Sequence, residues 1–139
     1  MSRMMRTTGD NMRGAARRSF SFLVADDSEF ARRNMEKMLV ALGGRPAGFA
    51  ANGREAIEQY LKLRPDLVLM DITMPEMEGI EAVEWILAED RTARIVMVSS
   101  IGYQEMIKRA LASGARHFLT KPVEPEQVAS IVDFVLEEK

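Results

Sequence analysis

Three carboxylates, two hydroxyls and one ammonium stand directly after apolar runs in this chain of 139 residues. Asp26 and Asp27 follow Phe22–Ala25, and Asp71 follows the run LVLM. Ser99 and Ser100 follow IVMV, and Lys121 lies in Thr120-Lys121-Pro122 beyond the run that ends at Leu119. Two adjacent like charges at the end of a buried segment are hard to hydrate, so something must offset their repulsion. Three carboxylates in one crevice each have a raised pKa unless compensated, and a hard divalent cation is the natural compensation. Mg2+ takes oxygen ligands, keeps several waters, and is typically held by one or two carboxylates plus phosphate oxygens. Lys121 offers a point charge for a phosphoryl oxygen or for Asp71, and Ser99 offers a hydrogen bond to that oxygen. The chain has no cysteine and a single histidine, His117. A carboxylate is therefore the available nucleophile, and aspartyl phosphates are an established covalent intermediate.

These residues share one rim only if the runs before them lie side by side. Five short apolar runs are present: Phe20–Ala25, Arg45–Ala51, Asp66–Met70, Arg94–Val98 and Arg116–Leu119. Their starts are 25, 21, 28 and 22 residues apart, close to one βα unit each. Continuous runs such as LVLM and IVMV suit strands covered on both faces. The run at 45–51 holds Pro46 and Gly48, which places it at a sheet edge.

Helical periodicity fills the intervals. The first helix opens after Ser28 as N-cap, carries Ala31, Met35, Met38, Leu39 and Leu42 on its stripe, and stops at Gly43-Gly44. The second follows Asn52 and is expected to bury Ala56, Ile57, Tyr60 and Leu61; the third spans about 79–88 with Ile80, Val83 and Leu87. The fourth runs from Tyr103 to Ser113 with Ile107, Ala110 and Leu111, and ends at Gly114. The last begins near Pro125 and shows Val128, Ile131, Val132 and Val135. Strict alternation predicts an α/β fold, a doubly wound (βα)5 unit with a five-stranded parallel sheet. The strand order 2-1-3-4-5 puts the weak second strand at an edge, as in flavodoxin-like sheets, and ligands then bind beyond the carboxyl ends.

Composition narrows the class. A hydrophobic content of 47% and a charged content of 29% describe a soluble globular protein. The lack of cysteine excludes disulfides and thiolate metal sites and suits a reducing cytosol, and no apolar run approaches the ~20 residues of a membrane helix. A cytoplasmic protein without membrane attachment is expected. Residues 1–19 carry five arginines against Asp10, a balance of +4, whereas the other 120 residues balance at −6. An acidic body argues against nucleic acid as the main ligand. Residues 1–19 read as a disordered basic leader or a cloning remnant, and residues 20–139 as the single folded domain.

The set DD (26–27), D-I-T-M-P (71–75), Gly79, SS (99–100) and KP (121–122) resembles, in order and spacing over residues 20–139, the receiver domain of two-component response regulators. The resemblance is to the stand-alone, CheY-like type. It implies that Asp71 accepts a phosphoryl group from a sensor histidine kinase or phosphotransfer protein, or from a small donor such as acetyl phosphate. It implies Mg2+ bound by Asp27 directly, by Asp26 through water, by Asp71 and by the backbone carbonyl of Thr73. Lys121 is then expected on the phosphoryl group, and a cis peptide bond before Pro122. Ser99 is expected to move to the phosphoryl group and Phe118 to change rotamer with it. That repacks the face of the fourth helix, fifth strand and fifth helix, where Ser100, Tyr103, Met106 and Ile107 lie. The partner is a downstream protein target, in chemotaxis, motility or a phosphorelay, with no DNA-binding output domain and a monomer or weak dimer. Such a domain is a switch that catalyses only its own phosphorylation and dephosphorylation.

Four positions depart from the family pattern. Phe118 stands where many relatives have Tyr, Ser100 where Ala is commoner, Glu78-Gly79 where Asp-Gly is usual, and Thr73 occupies the position two past Asp71. A phosphohydrolase acting on external substrates would commonly carry an acid where Thr73 stands, and a long cap insertion as well. A nucleotide or flavin module would need a GxxxxGK[ST] or GxGxxG loop, and neither occurs. Singly, Asp26-Asp27 could be a cap, Asp71 a turn residue and Lys121-Pro122 a surface loop, but none of these readings explains why all share one rim. His117 reads as a strand residue facing solvent or a helix, and Trp85 as partly exposed packing.

Overall fold

The computed structural model describes residues 19–137, so the leader expected over residues 1–19 lies, except for Ser19, outside the described residues. Five strands alternate with five helices: β1 (Phe20–Ala25), α1 (Glu29–Ala41), β2 (Gly44–Ala50), α2 (Gly53–Leu63), β3 (Leu67–Asp71), α3 (Gly79–Glu89), β4 (Ile95–Ser99), α4 (Gln104–Ser113), β5 (His117–Thr120) and α5 (Pro125–Glu137). All strand pairs are parallel and the order is β2-β1-β3-β4-β5, as the alternation predicts. Edge strand β2 slips register against β1, pairing Pro46 with Phe22 but Gly48 with Leu23. Ala47 is thus a bulge, and Pro46, which has no N–H to give, is accommodated at the edge.

Strands β3, β4 and β5 each run one residue further than the apolar pattern suggests. Asp71 pairs with Val98 and Ser99 with Thr120, so both residues belong to the ladder. A polar side chain does not interrupt backbone pairing, which is why the hydrophobic run understates the strand.

Side chains alternate between sheet faces, and that alternation assigns the rim. Leu23, Val68, Met70, Ile95 and Met97 enter the core beneath α2, α3 and α4. Phe22, Val24, Leu67, Leu69, Val96, Val98 and Leu119 enter the core beneath α1 and α5. Asp26, Asp71 and Lys121 continue the second phase, two residues beyond Val24, Leu69 and Leu119. Ser99, two beyond Met97, and Phe118 belong to the first.

Ser28 caps α1, its hydroxyl accepting the Ala31 N–H at 3.2 Å, and Asn52 caps α2 through the Glu55 N–H at 2.8 Å. The expected inward residues Met35, Leu39, Ala56, Tyr60, Val83, Ala110, Val128 and Val132 are buried. Leu61 and Leu111 are 37% and 38% exposed, because each follows a fully inward residue (Tyr60, Ala110) by one helical step and so turns off the stripe. Among the described residues no helix is long and apolar enough to cross a membrane.

Candidate functional site

The end of β1 is fixed through Asp26. Its N–H donates to the Ala50 carbonyl at 2.9 Å, and its Oδ1 accepts the Ser28 N–H at 2.9 Å. Its Oδ2 accepts from Lys121 Nζ at 3.1 Å, and its main-chain carbonyl accepts from Arg32 Nη1 at 2.7 Å. Asp26 is buried and Asp27 is exposed. At the end of β3, Asp71 is 5% exposed and stands 3.6 Å from Lys121 Nζ. One carboxylate oxygen from each of Asp26, Asp27 and Asp71 lies within 4.8 Å of the others.

The electrostatics follow from that crowding. Burial, followed by the Asp26 charge, raises the Asp71 carboxyl to about 6, while Lys121 and the Thr73 N–H hold it down in part. Burial disfavours the Lys121 ammonium, but the Asp71 and Asp26 carboxylates outweigh it and keep Lys121 above its ordinary value. A cavity of about 250 Å³ lined by Val24, Met35, Leu69, Val98 and Val123 opens beside Asp71 and Lys121. Lys121 pairs with Asp26 and Asp71 only, so one ammonium among three carboxylates leaves net negative charge, and all donors are oxygens. This set fits a hard divalent cation held by Asp26, Asp27 and Asp71.

The loop after Asp71 is packed under the site. Gly79 N–H donates to the Ile72 carbonyl at 2.8 Å, and Gly53 N–H to the Met77 carbonyl at 2.9 Å. A Cβ on Gly79 would stand 1.9 Å from the Asp71 carbonyl oxygen. Thr73 is exposed, and its contact with the site is its N–H toward the Asp71 carboxylate. The Lys121-Pro122 bond is cis, as the resemblance implies.

The remaining expected residues form a second group. Ser99 is buried at the end of β4, and its hydroxyl donates to the Ser100 carbonyl at 2.9 Å rather than toward the carboxylates. Ser100 is exposed. Phe118, Tyr103, Met106 and Ile107 are half-buried against the α2–α4 core. Helix α4 buries only Ala110 fully, and a bidentate pair from Arg109 to Glu84, at 2.7 and 2.8 Å, ties it to α3. His117 meets Phe134 edge-on at 5.8 Å, and Trp85 is 56% exposed, in line with their structural readings.

Sequence reasoning missed Arg32. Its hydrogen bond spans six residues and joins a helical turn to a strand end, and an arginine on a surface helix carries no signal of its own. It also gave no weight to Gly53, whose close approach to Met77 is visible only in three dimensions.

The response regulator receiver domain matches residues 22–133. The chain is 42% identical over 113 residues to the chemotaxis protein CheY of Thermotoga maritima, covering 81% of this chain and 94% of that one. It is 41% identical over 114 residues to the chemotaxis protein CheY of Bacillus subtilis, covering 82% and 95%. Among solved structures, the CheX-CheY-BeF3-Mg2+ complex from Borrelia burgdorferi superposes with a TM-score of 0.82 at 33% identity, covering 86% of this chain and 90% of that one.

Proposed function

The chain belongs to the response regulator receiver family, and on that premise we propose that it is a phosphorylation-driven signalling switch of the chemotaxis type in which Asp71 takes the phosphoryl group. The observation that carries this reading is a buried Asp71 carboxylate with Lys121 at 3.6 Å and two further aspartate oxygens within 4.8 Å. Mg2+ is the cation that these donors suit; Asp27, Asp71 and the Thr73 carbonyl would hold it directly, and Asp26 would do so through water. Bound there, it would supply positive charge that neutralises the phosphoryl oxygens.

A carboxylate oxygen of Asp71 forms a bond to phosphorus as the bond from phosphorus to the donor breaks. That donor is a histidine nitrogen of a sensor kinase or phosphotransfer protein, or acetyl phosphate. A leaving imidazole takes a proton from water. Lys121, already facing both carboxylates, turns to a phosphoryl oxygen, and the Ser99 hydroxyl exchanges the Ser100 carbonyl for another. Ser99 and Phe118 lie on the same side of the sheet, so movement of one makes room for the other. Tyr103, at the start of α4, and Met106 and Ile107, on that helix with its one fully buried residue, are then re-presented to a downstream protein. The signal is the difference in partner affinity between the two packings. Chemistry is confined to the domain's own phosphorylation and dephosphorylation.

With acetyl phosphate and Mg2+ the protein is expected to gain one covalent phosphate per chain, and none without Mg2+. Sustained hydrolysis of simple phosphate monoesters would contradict the switch reading.

Protons compete with the cation. Since Asp71 holds its proton up to about pH 6, Mg2+ affinity should fall about tenfold per pH unit below that value. The folded pKa lies above the unfolded one, so this group costs the metal-free fold stability as pH rises from about 4 to 6. Added Mg2+ should restore it at pH 7. Calorimetric titration from pH 5 to 8 checks the first effect, and an affinity that stays flat over that range would contradict it.

A further inference from the structure

We propose that Arg32 is a positioning residue of the cation site: by gripping the Asp26 carbonyl it sets where the Asp27 carboxylate stands. The inference rests on the cation-holding role given to the three aspartates. Asp27 is exposed, and among the described residues its carboxylate accepts no hydrogen bond. Its position is therefore inherited from the backbone on either side.

That backbone is held at two points. Before Asp27, the carbonyl of the Asp26-Asp27 peptide accepts from Arg32 Nη1 at 2.7 Å. After it, the Ser28 N–H is caught by Asp26 Oδ1, and the Ser28 hydroxyl caps α1. Arg32 is half-buried and sits in the first turn of α1, its own N–H bonded to the Ser28 carbonyl at 3.0 Å. The segment from Asp26 to Arg32 thus closes on itself, with the guanidinium as the clasp. A charged donor on a partly buried carbonyl makes a stronger bond than a neutral one, and outer-shell contacts of this kind commonly change metal affinity by 10–100-fold.

Two effects of the guanidinium oppose each other, and this makes the proposal decidable. As a nearby positive charge it repels a cation, so its removal would tighten binding. As a clasp it organises Asp27, so its removal would loosen binding. We expect the clasp to dominate. In the full chain at pH 8, Arg32→Met should bind Mg2+ about tenfold more weakly than wild type by calorimetry. Arg32→Gln, whose amide falls short of the carbonyl, should behave alike. Equal or tighter binding in folded variants would overturn the proposal.

A second readout needs no metal. The Ser28 amide, held by Asp26 Oδ1, should exchange with solvent faster in both variants at equal global stability, and unchanged exchange would overturn the clasp. Asp27→Ala serves as reference. If it binds Mg2+ like wild type, the cation reading itself fails, while amide exchange still decides the role of Arg32.

Discussion

Replacing Lys121 by methionine is expected to separate two properties of the site, tightening Mg2+ binding while slowing phosphorylation a hundredfold or more. The ammonium stands 3.1 Å from Asp26 and 3.6 Å from Asp71, and it is only about one-third exposed. In the metal-free protein it neutralises part of the charge that would otherwise attract a cation, so the variant presents a more negative crevice. Phosphoryl transfer moves the other way. A preorganised cation at the position where phosphoryl oxygens gather is worth about 10²–10³ in rate, and methionine offers neither charge nor hydrogen bond. Lys121 also helps to hold the Asp71 carboxyl down, so in the variant that carboxyl rises above about 6 and protons compete more strongly. The titration therefore belongs at pH 8, where this competition is small. Weaker Mg2+ binding at pH 8 would show that Lys121 organises the carboxylates rather than competing with the metal.

The second large effect is expected at Gly79. An alanine there would place Cβ 1.9 Å from the Asp71 carbonyl oxygen, 2.9 Å from its carbonyl carbon and 3.1 Å from Ile72 Cα. All three are backbone atoms, and the end of β3 is held in the ladder by β4 through the Asp71–Val98 pairing. No flexible side chain can give way, so either α3 lifts from the sheet or the end of β3 shifts. Overpacking of this kind costs about 3 kcal/mol, which lowers the thermal midpoint by about 10 °C for a domain of this size, and Asp71 should lose its phosphorylation. Gly102 is the natural comparison. It has a φ of +104° but open space around it, so Gly102→Ala should cost only about 1 kcal/mol through backbone conformation. Thermal melts of both variants check the contrast, and a Gly79→Ala protein that melts with wild type would refute the steric account.

Much of the architecture was legible because each strong strand is a continuous apolar run and each helix carries its own stripe. β2 was the exception: Pro46 and Gly48 dilute its pattern, and the bulge at Ala47 depends on pairing with β1. The apolar pattern stops one residue short of the ends of β3, β4 and β5 because hydrophobicity reports burial, not hydrogen bonding. In the site, Asp26, Asp27, Asp71 and Lys121 were legible because a charge that closes a buried run is unusual. Arg32 was not, since its role lies in one contact with a main-chain carbonyl. Nor could the sequence show that the Ser99 hydroxyl rests on the Ser100 carbonyl, or that Gly79 is needed for the space beside the Asp71 carbonyl.

The central claim is that Asp71 is the phosphoryl acceptor. It is tested most directly by treating wild type and Asp71→Asn with acetyl phosphate and Mg2+, then locating the acid-stable, base-labile adduct by peptide mass spectrometry. The expected result is a single phosphate on the peptide containing Asp71 in wild type and no adduct in the variant. An adduct that persists in Asp71→Asn, or that maps to Asp26 or Asp27, would contradict it.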